Sequence, residues 1–228
     1  MKEPGALLAE LFAGKATYAD GRSVGDTHSV ISPAFAQALG GFVAREKPKL
    51  VVEVGMALGA SSLAILSALD ADARLISIDP FQSTDYKGVG KSLVEQSNRA
   101  SQHVLIEKPD YVALPELLAQ NIQPDLVYID GMHTFDYVAL DAFYADKLVR
   151  PGGVVAFNDC GFRSIHKFLK YFQKHRHYEE IDVGLRPDYR GANPLVTLVR
   201  TITRRSNQDR YFRKVDSWEP EHNYFRNF

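Results

Sequence analysis

Short, almost wholly apolar segments alternate with stretches of helical periodicity through the middle of this chain. The apolar segments are predicted to be strands, and they cover residues 50–55, 74–79, 103–108, 124–130 and 154–159. Helices are predicted at residues 33–46, 61–69, 91–100, 115–121, 135–149 and 164–175. Strands that are apolar on both faces and separated by helices build a mostly parallel sheet that is covered on both sides. The alternation therefore predicts an α/β fold.

Two further apolar segments come close together after the last of these helices. Residues 178–184 and 194–201, YEEIDVG and PLVTLVRT, are predicted to be strands with no helix between them. Such a pair is typical of an antiparallel hairpin, which would place one antiparallel strand in or beside the parallel sheet.

The chain changes character at about residue 203, where a basic and then aromatic tail begins. We predict one domain over residues 1–202, in which residues 1–48 form a helical cap, followed by an arm over residues 203–228. The tail contains Arg204, Arg205, Arg210, Arg213 and Lys214 near Tyr211, Phe212 and Trp218. Such a mixture can bind RNA or a phosphorylated acceptor. We favour an arm that packs on a partner subunit and makes the protein a homo-oligomer.

Length and charge narrow the class of protein. A chain of 228 residues suits one α/β domain. The formal net charge of −1 gives no reason to expect nucleic acid or an anionic membrane as a partner. Cys160 is the single cysteine, which excludes an internal disulfide and fits a reducing compartment. No apolar stretch approaches the roughly 20 residues of a membrane helix, and the first residues lack a secretory layout. We therefore expect a cytoplasmic protein.

Two glycines, Gly55 and Gly59, separate the first predicted strand from its helix. In open α/β sheets, ligands bind beyond the carboxyl ends of the strands, and glycine lets a ligand approach the backbone there. The free N–H groups of the helix, which starts near Ser61 and Ser62, favour a polar or negative ligand group. Asp79 ends the second strand and is placed to accept hydrogen bonds from a ribose. These features predict a nucleoside-containing cofactor; the alternative is tight packing of the strand on the helix.

The glycine spacing disfavours a nicotinamide dinucleotide. Such cofactors favour the pattern G-x-G-x-x-G, whose middle glycine is absent from the run Gly55-Met-Ala-Leu-Gly59. The bulky residues of that run suit a pyrophosphate poorly, so a cofactor without phosphates fits better. Glu53 adds a carboxylate that could face an ammonium group.

Several of these motifs together resemble the class I S-adenosylmethionine-dependent methyltransferases. The motifs are EVGMALGAS at residues 53–61, Ile78-Asp79, PDLVYIDGMH at 124–133 and RPGGVVAFND at 150–159. The resemblance covers roughly residues 30–200 and is strongest to the small-molecule O-methyltransferases that include macrolide-sugar, cephalosporin-biosynthesis and catechol enzymes. It implies a Rossmann-like, doubly wound, mostly parallel seven-stranded sheet with a C-terminal antiparallel hairpin. It also implies S-adenosylmethionine as the cofactor, bound by Glu53, Gly55, Met56, Gly59, Ser61, Ser62, Asp79, Pro80, Asp110 and Asp130.

A second group of polar residues follows two later strands. Asp130 ends one strand, and Asn158 and Asp159 end the next, so their oxygens are expected at the same edge of the sheet. Oxygen ligands suit Mg²⁺, which can orient a substrate diol and acidify its hydroxyl. The resemblance implies these three residues as ligands of a divalent cation. Here the pair reads Asn-Asp, where catechol enzymes have Asp-Asn and macrolide-sugar enzymes have Glu-Asp; the alternative is that these residues only cap strands and helices.

His133 follows Asp130 by three residues, at the position where the catechol-type enzymes carry a lysine base. A histidine with a pKa near its usual value of about 6.5 is a competent base at neutral pH. We predict that His133 and Asp130 are catalytic; the alternatives for His133 are a helix-entry residue or a metal ligand. Asp136 and Asp141 are predicted to form a helix start and a solvated face.

Other candidates lie at a strand end and in loops. Asp110 could meet the adenine amino group, and Cys160 is predicted to be a small buried hydrophobe. By the resemblance, residues 27–29 border the cofactor and acceptor pocket. The loops at 81–90 and 186–193 are expected to overhang the same edge and to shape acceptor choice, through Tyr86, Arg186, Tyr189 and Arg190.

These observations predict a methyltransferase that acts on a hydroxyl of a small molecule, such as a vicinal diol, a catechol or a natural-product sugar, with help from a divalent cation. Base N-methylation often uses an Asn/Asp-Pro-Pro-aromatic run, whereas this chain has Asn158-Asp-Cys-Gly-Phe162. Methylation of an RNA ribose or a nucleotide stays an alternative. An NAD-dependent oxidoreductase is disfavoured by the glycine pattern. A non-catalytic cofactor-binding protein of the same fold is a further alternative.

Overall fold

A computed structural model describes residues 1–25 and 29–228. The helices that it describes are α1 Pro4–Phe12, α2 Pro33–Glu46, α3 Ala60–Ala68, α4 Val89–Glu95, α5 Asp110–Ala119, α6 Phe135–Leu148, α7 Arg163–His175 and α8 Pro194–Thr203. The strands are β1 Leu50–Val54, β2 Arg74–Ile78, β3 His103–Ile106, β4 Leu126–Ile129, β5 Val154–Phe157, β6 Tyr178–Ile181 and β7 Arg210–Lys214. A short 3₁₀ helix, Ala100–Gln102, precedes β3.

The strands form one seven-stranded sheet in the order β3-β2-β1-β4-β5-β7-β6. The first five strands are parallel, and β7 runs antiparallel to both β5 and β6. Chain order reverses at β1, where the chain passes from β3 on one side to β4 on the other, as in doubly wound folds. The predicted seven-stranded Rossmann-like sheet with an antiparallel hairpin is confirmed.

Alternation along β1 divides the core into two layers, one on each face of the sheet. Val51 points to the face that α1, α2 and α3 cover, whereas Val52 and Val54 point to the face that α5, α6 and α7 cover. All three valines are almost fully buried. Because both faces are covered, the strand is apolar along nearly its whole length, and Glu53 is the exception.

The second strand of the hairpin differs from the prediction. Residues 194–203 form α8, because Pro194 opens the helix and the side chain of Asn193 accepts a hydrogen bond from the backbone N–H of Val196. The β-branched residues of this segment suggested a strand, but none of its side chains is buried. The partner of β6 is instead β7, which comes from within the predicted arm.

The predicted boundary between domain and arm near residue 203 is therefore wrong. Tyr211 and Phe212 of β7 are fully buried and belong to the two core layers. Beyond β7, the side chain of Tyr224 meets the ring of His175 on α7 of the same chain. A homo-oligomer formed through this segment stays a prediction. Within the residues that the structure describes, no helix is both long and apolar enough to cross a membrane.

Candidate active site

One glycine and three polar residues lie side by side at one edge of the sheet. In the register of the sheet, the last residues of β1, β2, β4 and β5 stand level with one another. The residues that follow these strand ends are Gly55, Asp79, Asp130 and Asn158. This carboxyl edge, at the point where the chain order reverses, is where ligands bind in open α/β sheets.

Close backbone packing requires both glycines of the first loop. Gly55 has a φ of +88°, and a Cβ atom there would lie 2.1 Å from the backbone oxygen of Asp130. Gly59 has a φ of +83°, and a Cβ atom there would lie 3.0 Å from the Cα atom of Gly90. The packing explanation therefore accounts for both glycines, and the case for a cofactor rests on the other groups at this edge.

Asp79 holds the glycine loop in place. Its Oδ2 atom accepts hydrogen bonds from the backbone N–H groups of Met56 at 3.0 Å and Ala57 at 2.7 Å. Its Oδ1 atom accepts a third from Phe81 at 2.8 Å, and the residue is only 2% exposed. The predicted contact with a ribose stays a prediction, because in this conformation the carboxylate is engaged by the loop.

Glu53 is fully buried beside Ser61 and Ser62, the two serines that were predicted to contact the cofactor. Its Oε2 atom accepts hydrogen bonds from the hydroxyls of Ser62 and Ser77, each at 2.5 Å. Burial raises the pKa of Glu53 to about 7, and the hydroxyls of Ser61, Ser62 and Ser77 oppose the shift. The carboxylate is enclosed between β1, β2 and α3, so its predicted contact with an ammonium group also stays a prediction.

The accessible part of this edge consists of backbone and loop side chains. Gly55, Ala57, Pro80 and Asp130 are each half-buried. Tyr86, from the loop predicted to shape acceptor choice, lies over the same edge: burial raises the pKa of its phenol, and the neighbouring Asp79 and Asp130 raise it further. Thr27 and His28, predicted to border this pocket, lie outside the described residues.

Asp110 and Asp141 form a pair of buried carboxyl groups behind the end of β4. Asp141 is fully buried on α6, so the prediction that it lies on a solvated face is wrong. Burial raises its pKa to about 9, and repulsion from Asp110 adds to the shift. Asp110 is 8% exposed at the start of α5, where it accepts a hydrogen bond from the backbone N–H of Tyr111. A contact between Asp110 and adenine stays a prediction.

The raised pKa of Asp141 predicts a pH dependence of stability. Between an unfolded pKa of about 3.9 and the folded pKa of about 9, the folded state retains a proton that the unfolded state releases. The free energy of unfolding therefore falls as pH rises through this window. We expect Asp141→Asn to remove this loss of stability. The gain in the free energy of unfolding should be on the order of a few kcal/mol at pH 8 and near zero at pH 4. Urea unfolding at both pH values measures it, with the exposed Asp136→Asn as the control; an equal effect of Asp141→Asn at both pH values would contradict the assignment.

Asp130, His133 and Asp159 converge on one point of the edge. The Nε2 atom of His133 lies 3.5 Å from Oδ1 of Asp130 and 3.4 Å from Oδ2 of Asp159. One ligand atom from each of the three residues lies within 4.8 Å of the others. Nε2 is buried and has no hydrogen-bond partner among the described residues. Two carboxylates and an unpartnered imidazole nitrogen at this spacing fit a divalent cation.

The three groups perturb each other. Burial raises the pKa of Asp130 to about 6; the neighbouring His133 opposes the shift and Asp159 adds to it. The neighbouring carboxylate of Asp130 raises the pKa of the imidazole, against the effect of burial. Burial also raises the pKa of Asp159, whose backbone has a φ of +51°. This left-handed turn sends the chain from the end of β5 towards the start of α7.

Asn158, the third predicted metal ligand, is engaged elsewhere. Its Nδ2 atom donates a hydrogen bond of 2.8 Å to Asp209, whose other oxygen accepts one of 2.8 Å from the hydroxyl of Tyr128. A ligand role for Asn158 would have to use its amide oxygen alone and stays a prediction. In the group that the structure brings together, His133 stands beside the two aspartates.

The start of α7 orients the candidate base. The ring of Phe162 stacks on the ring of His133 with centroids 5.0 Å apart and an interplanar angle of 20°. The hydroxyl of Ser164 donates a hydrogen bond to the backbone oxygen of His133. Cys160 is buried and donates its thiol to the backbone oxygen of Phe157, as expected for a small buried residue.

Sequence reasoning missed Asp209 and Phe162. Asp209 is 51 residues from Asn158 and sits in a segment that resembles a solvated tail, so no local pattern marks it. Phe162 entered the sequence analysis only in the comparison with the Asn/Asp-Pro-Pro-aromatic run. Its position directly before a helix was the signal that could have identified it.

A cavity of about 440 Å³ lies elsewhere, at the amino edge of the sheet, and is lined by Lys47, Lys49, Asp125, Arg150 and Arg213, among others. Its charged groups are largely paired, as Arg150 is with Asp125 and Arg213 with Glu46. We therefore place the candidate site at the carboxyl edge, where the unpartnered groups converge.

Residues 52–160, which run from β1 to the end of β5 and just beyond, match the family model for the methyltransferase domain. This segment is similar to methyltransferase domains. The matched segment is just under half of the chain and includes Gly55, Asp79, Asp130 and Asp159. The methyltransferase predicted from the sequence is thereby confirmed. A search of curated proteins finds no match.

Similarity to solved structures extends beyond residues 52–160 of the chain. The O-methyltransferase TomG from Streptomyces achromogenes, solved with SAM and involved in tomaymycin synthesis, has 16% identity, with 94% of this chain and 91% of that chain covered and a TM-score of 0.62. An O-methyltransferase from Bacillus cereus, solved with SAH, has 16% identity, coverage of 78% and 82%, and a TM-score of 0.61. The SAH-bound methyltransferase PaMTH1 from Podospora anserina has 14% identity, coverage of 92% and 88%, and a TM-score of 0.66. At these identities the likeness shows the fold of the domain and its C-terminal strands.

Proposed function

We propose that this protein is an S-adenosylmethionine-dependent O-methyltransferase that acts on a hydroxyl of a small molecule with the help of a divalent cation. One observation carries the proposal. The backbone oxygen of Asp130 meets Gly55 of the first loop, while its side chain lies 3.5 Å from His133. A methyl donor at the glycine loop and an acceptor at the aspartate and histidine group would therefore be neighbours. The similar structures solved with SAM or SAH support the choice of donor.

The residues of the chain have simple tasks in such a reaction. When bound, the cofactor supplies an activated methyl group, and the cation orients the acceptor and acidifies its hydroxyl. Asp130 and Asp159 would hold the cation through their carboxylates. His133 would take up the hydroxyl proton at Nε2, with its ring fixed by Phe162. Positioning donor and acceptor provides most of the remaining rate enhancement.

Two adjacent oxygens on the acceptor fit this arrangement best. A vicinal diol or a catechol can offer one oxygen to the cation and the other to His133. Asp130 and Asp159 are only partly exposed, and the half-buried Tyr86 lies near Asp79 and Asp130. These features favour a compact acceptor, such as a catechol or a sugar of a natural product.

Calorimetric titration tests the cofactor and the cation. We expect S-adenosylhomocysteine to bind and NAD⁺ not to bind, and we expect Mn²⁺, used as a probe, to bind the wild type. Asp159→Asn should weaken Mn²⁺ binding, whereas the exposed Asp136→Asn should leave it unchanged. With catechol as acceptor, a chelator should abolish methyl transfer and Mg²⁺ should restore it.

The outcomes separate the parts of the proposal. Absence of binding by S-adenosylhomocysteine would reject the methyltransferase function. Full activity in the presence of chelator would remove the cation from the mechanism and leave the cofactor in place.

A further inference from the structure

A group of basic side chains without carboxylate partners lies beside the candidate active site. The group, here called the basic cluster, consists of Arg163, His166, Lys167, Lys170, Arg200 and Arg205. It joins the first half of α7 to the end of α8 and the residues just after it. None of the six forms an ion pair with a described residue, whereas nearby Arg210 pairs with Glu180 and Arg190 pairs with Asp188.

Buried nitrogen atoms within the basic cluster lack hydrogen-bond partners. They are Nε2 of His166, Nε of Arg200 and Nε of Arg205. Because buried polar atoms are almost always paired in folded proteins, three unpaired nitrogens in one group require an explanation. An anion with several acceptor oxygens offers such nitrogens the acceptors that the described residues do not provide.

The charged side chains of the basic cluster repel each other. Burial lowers the pKa of Arg205, and the neighbouring charges of Arg200 and Arg163 lower it further. Burial lowers the pKa of His166 to about 4, with contributions from Lys170, Arg205, Arg210 and Lys167. Like charges held together without counter-charges are unfavourable, and a bound oxyanion would relieve the repulsion.

The cluster borders the reacting centre. Arg163 follows directly after Phe162, whose ring stacks on His133. The turn after α8 presses on the loop after β5, since a Cβ atom at Gly161 would lie 2.0 Å from Oδ1 of Asn207. Asn207 in turn accepts a hydrogen bond of 2.8 Å from Arg200. The free N–H groups at the start of α7 add to the positive potential.

We propose that the basic cluster binds a phosphate group, or another oxyanion of the same geometry, that is carried by the acceptor. The inference rests on the proposed function and narrows it to hydroxylated acceptors that bear an anionic group. Arginine is the side chain best suited to such groups, because its planar fork donates two hydrogen bonds at once. A polynucleotide is disfavoured, because the cluster is confined to the start of α7 and the end of α8 in a chain with a net charge of −1.

Calorimetric titration of the full chain with inorganic phosphate, in a phosphate-free buffer of low ionic strength, tests the inference. We expect phosphate to bind the wild type and Arg205→Gln to weaken binding roughly tenfold or more, as for the loss of a hydrogen bond between charged groups. Arg205→Lys should be intermediate, because it keeps the charge and loses the fork. Arg74→Gln, at the opposite edge of the sheet, should bind as the wild type does.

Cofactor binding, thermal unfolding and RNA binding are measured as well. Each variant is titrated with S-adenosylhomocysteine, and thermal unfolding confirms that it folds; Arg163→Gln, at an exposed position, replaces Arg205→Gln if the latter does not fold. Phosphate binding that is absent, or unchanged by both substitutions, would overturn the inference while leaving the function intact. Loss of S-adenosylhomocysteine binding in the wild type would instead overturn the function. Binding of a single-stranded RNA much tighter than that of phosphate, with a steep salt dependence, would overturn the inference in favour of a polynucleotide partner.

Discussion

Gly55→Ala is expected to lower the free energy of unfolding by about 2–6 kcal/mol, because it combines backbone strain with a steric clash. The strain arises from the φ of +88°, and the clash arises because the new Cβ would lie 2.1 Å from the backbone oxygen of Asp130. Neither atom belongs to a flexible side chain, so relief requires β1 and β4 to separate. Urea unfolding followed by circular dichroism measures the change.

Gly41→Ala is the matched control for this substitution. Gly41 lies on the exposed side of α2, and a Cβ atom there would meet nothing within 4 Å. Alanine should stabilise the helix by roughly 0.5–1 kcal/mol. Equal stability of the two variants would contradict the close packing of the Gly55 backbone against the Asp130 backbone. If Gly55→Ala folded normally and lost only cofactor binding, the loop would owe its glycine to a ligand.

His133→Ala is expected to lower the rate of methyl transfer by about 10²–10⁴-fold, the range for loss of a general base. The affinity for S-adenosylhomocysteine should stay near that of the wild type, because His133 faces Asp130 and Asp159 and not the glycine loop. Single-turnover rates with catechol and calorimetry of the same preparation measure both quantities. His222→Ala, an exposed histidine in the C-terminal segment, is the control.

The same variant distinguishes a base from a metal ligand. If His133 acts as the base alone, Mn²⁺ should bind His133→Ala as it binds the wild type, and rate should recover at high pH, where the acceptor ionises unaided. If His133 is a ligand, Mn²⁺ affinity should fall together with the rate. A turnover equal to that of the wild type would reject both roles.

Much of the fold was predictable because it follows from local patterns. Strands such as β1 and β4 are short and apolar on both faces, so their burial in a parallel sheet could be inferred without knowledge of their partners. Parallel strands then bring their carboxyl ends to one edge. The proximity of Gly55, Asp79 and Asp130 followed from that single property of the sheet.

The failures concern residues whose role depends on distant partners. Pro194 and Asn193 start a helix in a segment whose β-branched side chains favour a strand, and α8 buries none of them. The hydrogen bonds from Met56 and Ala57 to Asp79 span 23 and 22 residues of the chain, so no local pattern marks them, and the contact of Asp79 with a ribose stays a prediction. The charge of Asp141 suggested exposure, but the residue lies in the buried stripe of α6 with Val138, Ala142 and Ala145, where it interacts with Asp110.

The position of β7 has a consequence for the order of assembly during synthesis. β7 fills the space between β5 and β6, although α7, β6 and α8 separate it from β5 in the chain and α8 separates it from β6. Until residues 210–214 have emerged from the ribosome, β5 presents an unpaired edge with apolar side chains on both faces. Such an edge is a template for pairing with another nascent chain. The edge of β5 is therefore most open to such pairing between the synthesis of β5 and the synthesis of β7.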